Sequence, residues 1–389
     1  MNHRRVNQRG NGRRAWAAAA TATATAVLPL LLGSCAALTT MHGTPGPHPS
    51  VHPVPVRGTK LFDWKGVVHC HSYLSHDSDG RIETIAAACK TAHVDFVVMT
   101  DHQTEASIAE GQRGFVGETL FLVGAELRSP QGTLLCFPLT KPLRRFQHAG
   151  LLVKEAAAQG GLAFVGHAEK WSVPWTVPGI AGAEVVNLHA AASTLNRFVT
   201  ALTALFLPMR FLAERICYRD GEVFAAWDRA LAERHPFTPV GGNDAHANVN
   251  VFGPFGGTIG TYQEIFLTLS THVLAERLDE RSLVEAFAAG RTYVSFDVFG
   301  EGAGFDFRVE DAAGLVHLGG ATVPAHADLV LRVRTPAPGR IQLFRDGKPV
   351  HRRDAMALDV HAPEPGVYRV EVATRRGAPW LFSSSIRVQ

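Results

Sequence analysis

The sequence predicts an α/β fold in which parallel strands alternate with helices, followed by a smaller all-β region. Three observations carry this. Short apolar runs of strand length recur between Val67 and Val240, separated by stretches with helical spacing. Polar residues fall at the C-terminal end of run after run: His69 and His71, Thr100-Asp101-His102, Gly124-Ala125-Glu126, Gly166-His167 and Asn243-Asp244-Ala245-His246. After Gly300 the texture changes to short strands separated by turn signals such as Asp346-Gly347 and Pro365-Gly366.

The first segment reads as an address. A basic stretch ends at Arg14, an apolar stretch runs from Ala15 to Leu32, and Leu32-Gly33-Ser34-Cys35 closes it like a bacterial lipobox. Residues 1–35 are therefore expected to direct export, with Cys35 lipidated as the membrane anchor; an uncleaved membrane span is the competing reading. Ala36 differs from the aspartate that retains lipoproteins at the inner membrane, which favours an outer-membrane anchor facing the periplasm. Residues 36–59, rich in Pro, Gly, Thr and His, read as a flexible tether whose His42, His48 and His52 are solvated. The other four cysteines, Cys70, Cys89, Cys136 and Cys217, show no zinc-finger spacing and read as small buried residues.

The body begins near Lys60. Val67-Val68 ends a strand; Ile82 to Thr91 is helical, with Ile82, Ile85, Ala86 and Cys89 on one face. Phe96 to Met99 and Leu120 to Val123 are continuous apolar runs, as in strands buried on both faces. Leu134 to Phe137 is a further strand, and Leu151 to Ala158 a helix. Ala163 to Val165 and Glu184 to Val186 are strands, with His167 beyond the first and Asn187 and His189 beyond the second. Phe198 to Cys217 and Val223 to Glu233 are helical, the former interrupted by Pro208, Arg210 and Glu214 and so a lid or outer helix rather than a membrane span. Thr238 to Val240 is the last strand of the series. Residues 60–300 suit one β/α barrel, whose C-terminal strand ends form the catalytic face. Residues 301–389 suit an antiparallel β-sandwich.

Composition narrows the function. Hydrophobic residues make up 46% and charged residues 19% of the 389, so a packed body is expected. The net charge of +3 comes from the leader. Without Arg4, Arg5, Arg9, Arg13 and Arg14, 33 of the 38 basic residues remain against 35 acids, giving −2. Nothing suggests a nucleic-acid partner. No glycine-rich phosphate loop and no Gly-x-Ser-x-Gly elbow is present, so serine-nucleophile chemistry has no support. His69 and His71, two apart on a strand, are expected to point to one face and converge on a metal ion. His76, Asp77 and Asp79 follow closely, and any of the three is a candidate ligand. Imidazole and carboxylate together suit Zn, Mn or Fe.

In order and chemistry these motifs resemble the polymerase and histidinol phosphatase (PHP) superfamily. That family's pattern is His-x-His, a nearby Asp, Thr-Asp-His, a Glu, a Gly-His and Asp-x-His, and it is met here between His69 and His246. Trp227-Asp228, Gly290-Arg291-Thr292-Tyr293 and Trp380-Leu381-Phe382-Ser383 look like a bacterial branch with a C-terminal β-domain, related to carbamate- and amide-cleaving members. The resemblance implies a distorted (β/α)7-type barrel holding one to three divalent ions. His69, His71, Glu126 and Asp244 would hold one, Glu126 would bridge to a second beside His167, and Asp77, His102 and His246 would hold a third. By analogy with members carrying Ser-x-Asp-Ser, Asp77 is the ligand in its loop. Asp101 is expected to orient a histidine, and His189 and Arg291 to contact an oxyanion or phosphate. One departure stands out: where the family usually has Gly-His, this chain reads Gly132-Thr133; His148 is a candidate substitute from a loop, but reads foremost as a surface histidine.

The expected function is a metal-dependent hydrolase, foremost a phosphoesterase acting on a small-molecule ester through a metal-activated hydroxide. An amide- or carbamate-cleaving hydrolase and a non-catalytic, metal-stabilised binding module are the alternatives.

Overall fold

The computed structural model describes residues 54–193, 209–246, 249–250 and 258–389. The leader with Cys35 and residues 36–53 of the tether lie outside them, while Val54–Pro55, expected as flexible tether, pairs with Asp63 and Phe62. Much of the helix expected over 198–217 also lies outside, of which Met209–Ile216 is described and is helical. Among the described residues no helix is long and apolar enough to cross a membrane.

In chain order the first half is framed by β1 (Phe62–Cys70), α1 (Ile82–Ala92), β2 (Phe96–Met99), β3 (Thr119–Val123), β4 (Ala125–Arg128), β5 (Thr133–Phe137), α2 (Ala149–Ala157), β6 (Leu162–Gly166) and β7 (Ile180–Asn187). Then follow α3 (Gly221–Glu233), β8 (Thr238–Ala245), β9 (Ser270–Ala275), α4 (Glu280–Ala288) and β10 (Thr292–Ser295). The C-terminal region contributes β11 (Asp306–Glu310), β12 (Val330–Arg345), β13 (Lys348–His361), β14 (Gly366–Ala373) and β15 (Pro379–Val388).

The strand pairings form a closed circuit. β1 is parallel to β2, and β2 to β3. β3 runs through Gly124 into β4, which pairs with β5, and β5 with β6. β6, β7 and β8 are parallel, and β8 returns to the second half of β1. The expectation of an all-parallel series is corrected at β5, which is antiparallel to both neighbours. The cause is local: reciprocal backbone hydrogen bonds between Ser129 and Gly132 close a tight turn, so the chain reverses directly from β4 into β5. Inside the circuit an aromatic plug fills the floor. Phe137 and Phe164 stack at 5.2 Å, and Phe287 of α4 stands edge-on to both.

Helices cover the outside through one apolar stripe each. On α3, Val223, Phe224, Trp227, Ala230 and Leu231 are buried, the three-and-four spacing of one helical face, and Asp220 caps the helix by accepting the N–H groups of Glu222 and Val223. All four described cysteines are buried and unpaired, as the sequence suggested.

The long C-terminal strands are antiparallel, as expected, with the short Thr322–Val323 strand parallel to the end of β15, but hydrogen bonding does not break at residue 300. The first half of β1 pairs with β9, β9 with β10, and β10 with β15, where Tyr293 to Ser295 face Ser383 to Leu381. β15 continues through β14 and β12 to β11 and β13. One strand therefore serves two structures: its second half closes the circuit and its first half carries the C-terminal sheet. A buried arginine pins the two together. Arg369 on β14, 1% exposed, grips Asp228 of α3 through Nε at 2.6 Å and Nη2 at 2.8 Å, contacts Glu371, and lies over the rings of Phe344 and Trp227. Removing Asp228 leaves that guanidinium without its bidentate partner. Asp228→Ala is expected to cost ~3–5 kcal/mol in denaturant unfolding, and Arg369→Met added to it should recover most of the loss. A double variant no more stable than Asp228→Ala would contradict this account.

Candidate metal centre

The polar ends of the circuit's strands meet at one mouth. Backbone geometry, more than regular strand alternation, brings them together. His69 has φ 68°, and the register of β1 shifts there against both β2 and β8. His71 lies just beyond the strand, its N–H donating to the carbonyl of Ala245. His167 (φ 45°) and Asp244 (φ 50°) also adopt the left-handed conformation. Three left-handed non-glycine residues at one site are a local cost that the surrounding structure sustains. The expected convergence of His69 and His71 is found, but a bulge and a loop produce it rather than the simple two-residue repeat.

Two buried carboxylates sit at the centre. Nε2 of His69 lies 3.4 Å from both Glu126 Oε2 and Asp244 Oδ1, and Nε2 of His71 lies 3.5 and 3.4 Å from the same atoms. Their other oxygens face His167, whose Nε2 is 3.3 Å from Glu126 Oε1 and 3.5 Å from Asp244 Oδ2. Asp77 Oδ2 is 3.0 Å from His102 Nε2 and 3.2 Å from His246 Nε2, while Nδ1 of His102 turns to Glu126 Oε2 at 3.4 Å. His71 and His246 stack at 4.2 Å. Asp77, rather than the exposed Asp79, is the acid of its loop that reaches the histidines, while the exposed His76 lays its ring 4.7 Å from that of His102.

These side chains fit divalent metals. Nε2 of both His69 and His71 is buried without a hydrogen-bond partner, an expensive state for a ring nitrogen with nothing to bind. Two ligands bound tetrahedrally at ~2.0–2.1 Å to one ion stand about 3.3–3.4 Å apart, which is the spacing between the imidazoles and Glu126 or Asp244. His69, His71 and Asp244 form one group of close ligand atoms, His69, Glu126 and His167 a second, and His71, Asp77 and His102 a third.

Imidazoles and carboxylates stabilise one another's charges here, and Asp244 and Glu184 raise the His69 pKa well above its ordinary value against the effect of burial. Burial would raise the carboxyl pKa of Asp244, but His69, His71 and His167 outweigh it and hold the group well below its usual range. Glu126 is held down in the same way, chiefly by His167 and His69. Burial lowers the His71 pKa to about 4, so this imidazole is neutral and keeps a lone pair. His167, which Glu126 and Glu169 counter-charge against its own burial, is raised to about 10.

A supporting shell fixes the ligands. Glu184, 1% exposed, accepts from His69 Nδ1 at 2.6 Å with Oε1 and from the His167 backbone N–H at 2.7 Å with Oε2. It thereby orients one ring and anchors the chain at another. A Cβ at Gly242 would stand 1.9 Å from Glu184 Oε1, so glycine is required there. Tyr262 Oη donates to the His71 carbonyl at 2.7 Å and meets Ser78 Oγ at 2.9 Å, tying down the loop that bears Asp77. Sequence reasoning passed over both residues. An acid inside the apolar run Glu184-Val185-Val186 was the available signal for the first; nothing local marked the second.

The remaining expectations divide. Asp101 accepts the backbone N–H and the hydroxyl of Ser72, so its carboxylate shapes the loop after β1. His189 is brought to the mouth, its ring 5.2 Å from that of His246. Arg291 is corrected: its Nε donates to the carbonyl of Leu274, which pairs with Asp63 in the first half of β1. That is ~20 Å along the strand from His69 at ~3.3 Å per residue, because β10 enters the sheet antiparallel at the opposite end. Thr133 pairs with Gly166, the residue before His167, and its carbonyl accepts the Trp171 indole. His148 is exposed and bonded to Gln131.

No family model and no curated protein matches the chain. Among solved structures it is similar to a two-domain protein from Bacteroides vulgatus ATCC 8482 containing a predicted PHP-like metal-dependent phosphoesterase, at 16% identity and a TM-score of 0.40, covering 83% of this chain and 96% of that one. It is also similar to a candidate metal-dependent phosphoesterase from Bifidobacterium adolescentis ATCC 15703, at 12% identity and a TM-score of 0.28, covering 51% of this chain and 94% of that one.

Glu184→Gln keeps the shape of the supporting carboxylate and removes its charge. The expected outcome is a metal affinity ~10–100-fold weaker in a protein that melts as a single folded species, measured by competition with a chromophoric chelator. Gly242→Ala, which displaces Glu184, should weaken it similarly. Unchanged affinity in both would remove Glu184 from this role.

Proposed function

We propose that this chain is a metal-dependent hydrolase of the PHP type, with a distorted (β/α)7-type barrel, and that it cleaves phosphoesters. The observation that carries the reading is the pair of buried, unpartnered Nε2 atoms of His69 and His71 facing Glu126 and Asp244 at coordination spacing. His69, His71, Asp77, His102, Glu126, His167, Asp244 and His246 would hold divalent ions of the Zn, Mn or Fe class, one to three per chain. Bound there, such ions polarise substrate oxygens and acidify a water molecule to near-neutral pKa.

The chain's own residues do the rest. Glu126 and Asp244 each present one oxygen to the His69–His71 pair and the other to His167, the arrangement of carboxylates shared between two cations. Two ions held there would suit in-line displacement at phosphorus, where the attacking and leaving oxygens both need stabilising. Glu184 keeps His69 oriented through the cycle. His189, its ring 5.2 Å from that of His246, can take a proton from water or return one to the leaving oxygen.

Thr133 favours a second reading. Without a histidine at that position the second metal position has one ligand fewer, and attack on an amide or carbamate carbonyl can run on a single open site. We further propose that the protein is exported and anchored through lipidated Cys35, with its body in the periplasm.

Removal of metal with a chelator is expected to abolish turnover of generic phosphoesters, and Mn or Zn to restore it. Turnover that survives complete metal removal would overturn the hydrolase reading. Hydrolysis of carbamate esters with none of phosphoesters would replace the first reading with the second. For export, Cys35→Ala is expected to abolish metabolic labelling by a fatty-acid analogue and release the protein from membranes. A wild-type chain that is never labelled would remove the lipid anchor.

A further inference from the structure

A second set of ligand-type side chains lies four residues back along β1 from His69, ~13 Å at ~3.3 Å per residue. His272 on β9 faces Lys65 on β1 and is fully buried. Its Nδ1 is 2.8 Å from Asp63 Oδ1, while Asp63 Oδ2 accepts the Tyr293 hydroxyl at 2.6 Å and the Gly304 N–H at 2.9 Å. Those two donors require an acceptor at Asp63, so the Asp63–His272 contact has the ring nitrogen as donor. Nδ1 is thus committed to Asp63, which leaves Nε2 as the ring's other coordinating position. That Nε2 is buried and has no hydrogen-bond partner.

Asp297 and Glu301 lie on the other side. The ligand atoms of His272, Asp297 and Glu301 all fall within 4.8 Å of one another. One cation is already near: Lys65 Nζ is 2.8 Å from Asp297 Oδ2 and 3.9 Å from Glu301 Oε2. It is outnumbered. Asp95, Asp297 and Glu301 surround it, Asp95 accepting the Lys65 backbone N–H at 2.8 Å. Carboxylate–imidazole pairing behind a free ring nitrogen, with two further carboxylates in front, is the arrangement that holds a divalent ion.

We propose that His272, Asp297 and Glu301 form a second metal site, separate from the hydrolytic one, for a divalent cation of the zinc class. Imidazole with two carboxylates suits that class, and a water completes four-coordination. Its role is structural. Asp297 and Glu301 belong to the segment that leaves β10 for the C-terminal strands, and His272 belongs to the strand joining that sheet to β1. The ion clasps the two together where Arg369 does not reach.

The test is metal counting on the full-length protein. Protein stripped with chelator, refilled with excess Zn2+ and desalted is expected to hold one equivalent more than Glu301→Gln or His272→Gln treated in the same way, with phosphoesterase activity changed less than about twofold. Should His272→Gln fail to fold, Glu301→Gln decides, since its side chain is 28% exposed at the rim. Crystals of the zinc-loaded wild type should give an anomalous peak at the zinc edge beside His272 Nε2. Equal zinc content in the wild type and Glu301→Gln would overturn the proposal, as would an anomalous peak at His69 and His71 with none at His272. The second result would leave the hydrolytic centre standing and identify Lys65 as the only cation of the cluster.

Discussion

Two carboxylates buried among imidazoles set the terms for the rest of this molecule. Glu126 and Asp244 have almost no access to water, and an unpaired buried carboxylate costs several kcal/mol. Their charge is tolerable only because His69, His71 and His167 crowd around them. The three left-handed residues at the strand ends achieve that crowding: each turns a ring or carboxylate inward where a regular strand would continue past. The aromatic floor of Phe137, Phe164 and Phe287 gives those distorted strand ends a rigid base.

β1 connects this chemistry to the remainder of the chain. Its second half has partners on both sides within the closed circuit, and its first half trades one of them for β9. The C-terminal sheet is therefore an extension of the ladder that ends in His69, not an appendage on a linker. Arg369 reinforces the joint from the other face, and the cluster around His272 lies at the point where β1 changes partners. The C-terminal sheet and the loop that bears His71 are joined through a single strand.

Much of the site was legible because ligand chemistry is encoded in residue type and order. The set His69, His71, Asp77, His102, Glu126, His167, Asp244 and His246 can be named from motifs at the ends of apolar runs, and the structure brings all of them to one mouth. Residues whose meaning depends on a distant partner were illegible. Glu184 matters because Gly242 leaves room for it and His69 needs orienting, and neither fact is local to Glu184. Arg291 misled for the converse reason: its neighbours in sequence look like a motif, but an antiparallel strand carries it to the far end of the sheet.

Composition and pattern alone determined the class of fold, the positions of most helices and strands, the burial of the cysteines and the polar residues that close each apolar run. Each of these depends on periodicity or on the chemistry of single side chains, both of which are carried by the chain itself. Tertiary structure decided the reversal at β5, the unbroken ladder across residue 300, the choice of Asp77 in its loop, and the supporting roles of Glu184, Tyr262 and Arg369. Those outcomes turn on which segments meet in space. They are settled by hydrogen bonding and packing between residues tens to hundreds of positions apart, about which a local reading of the chain carries no information.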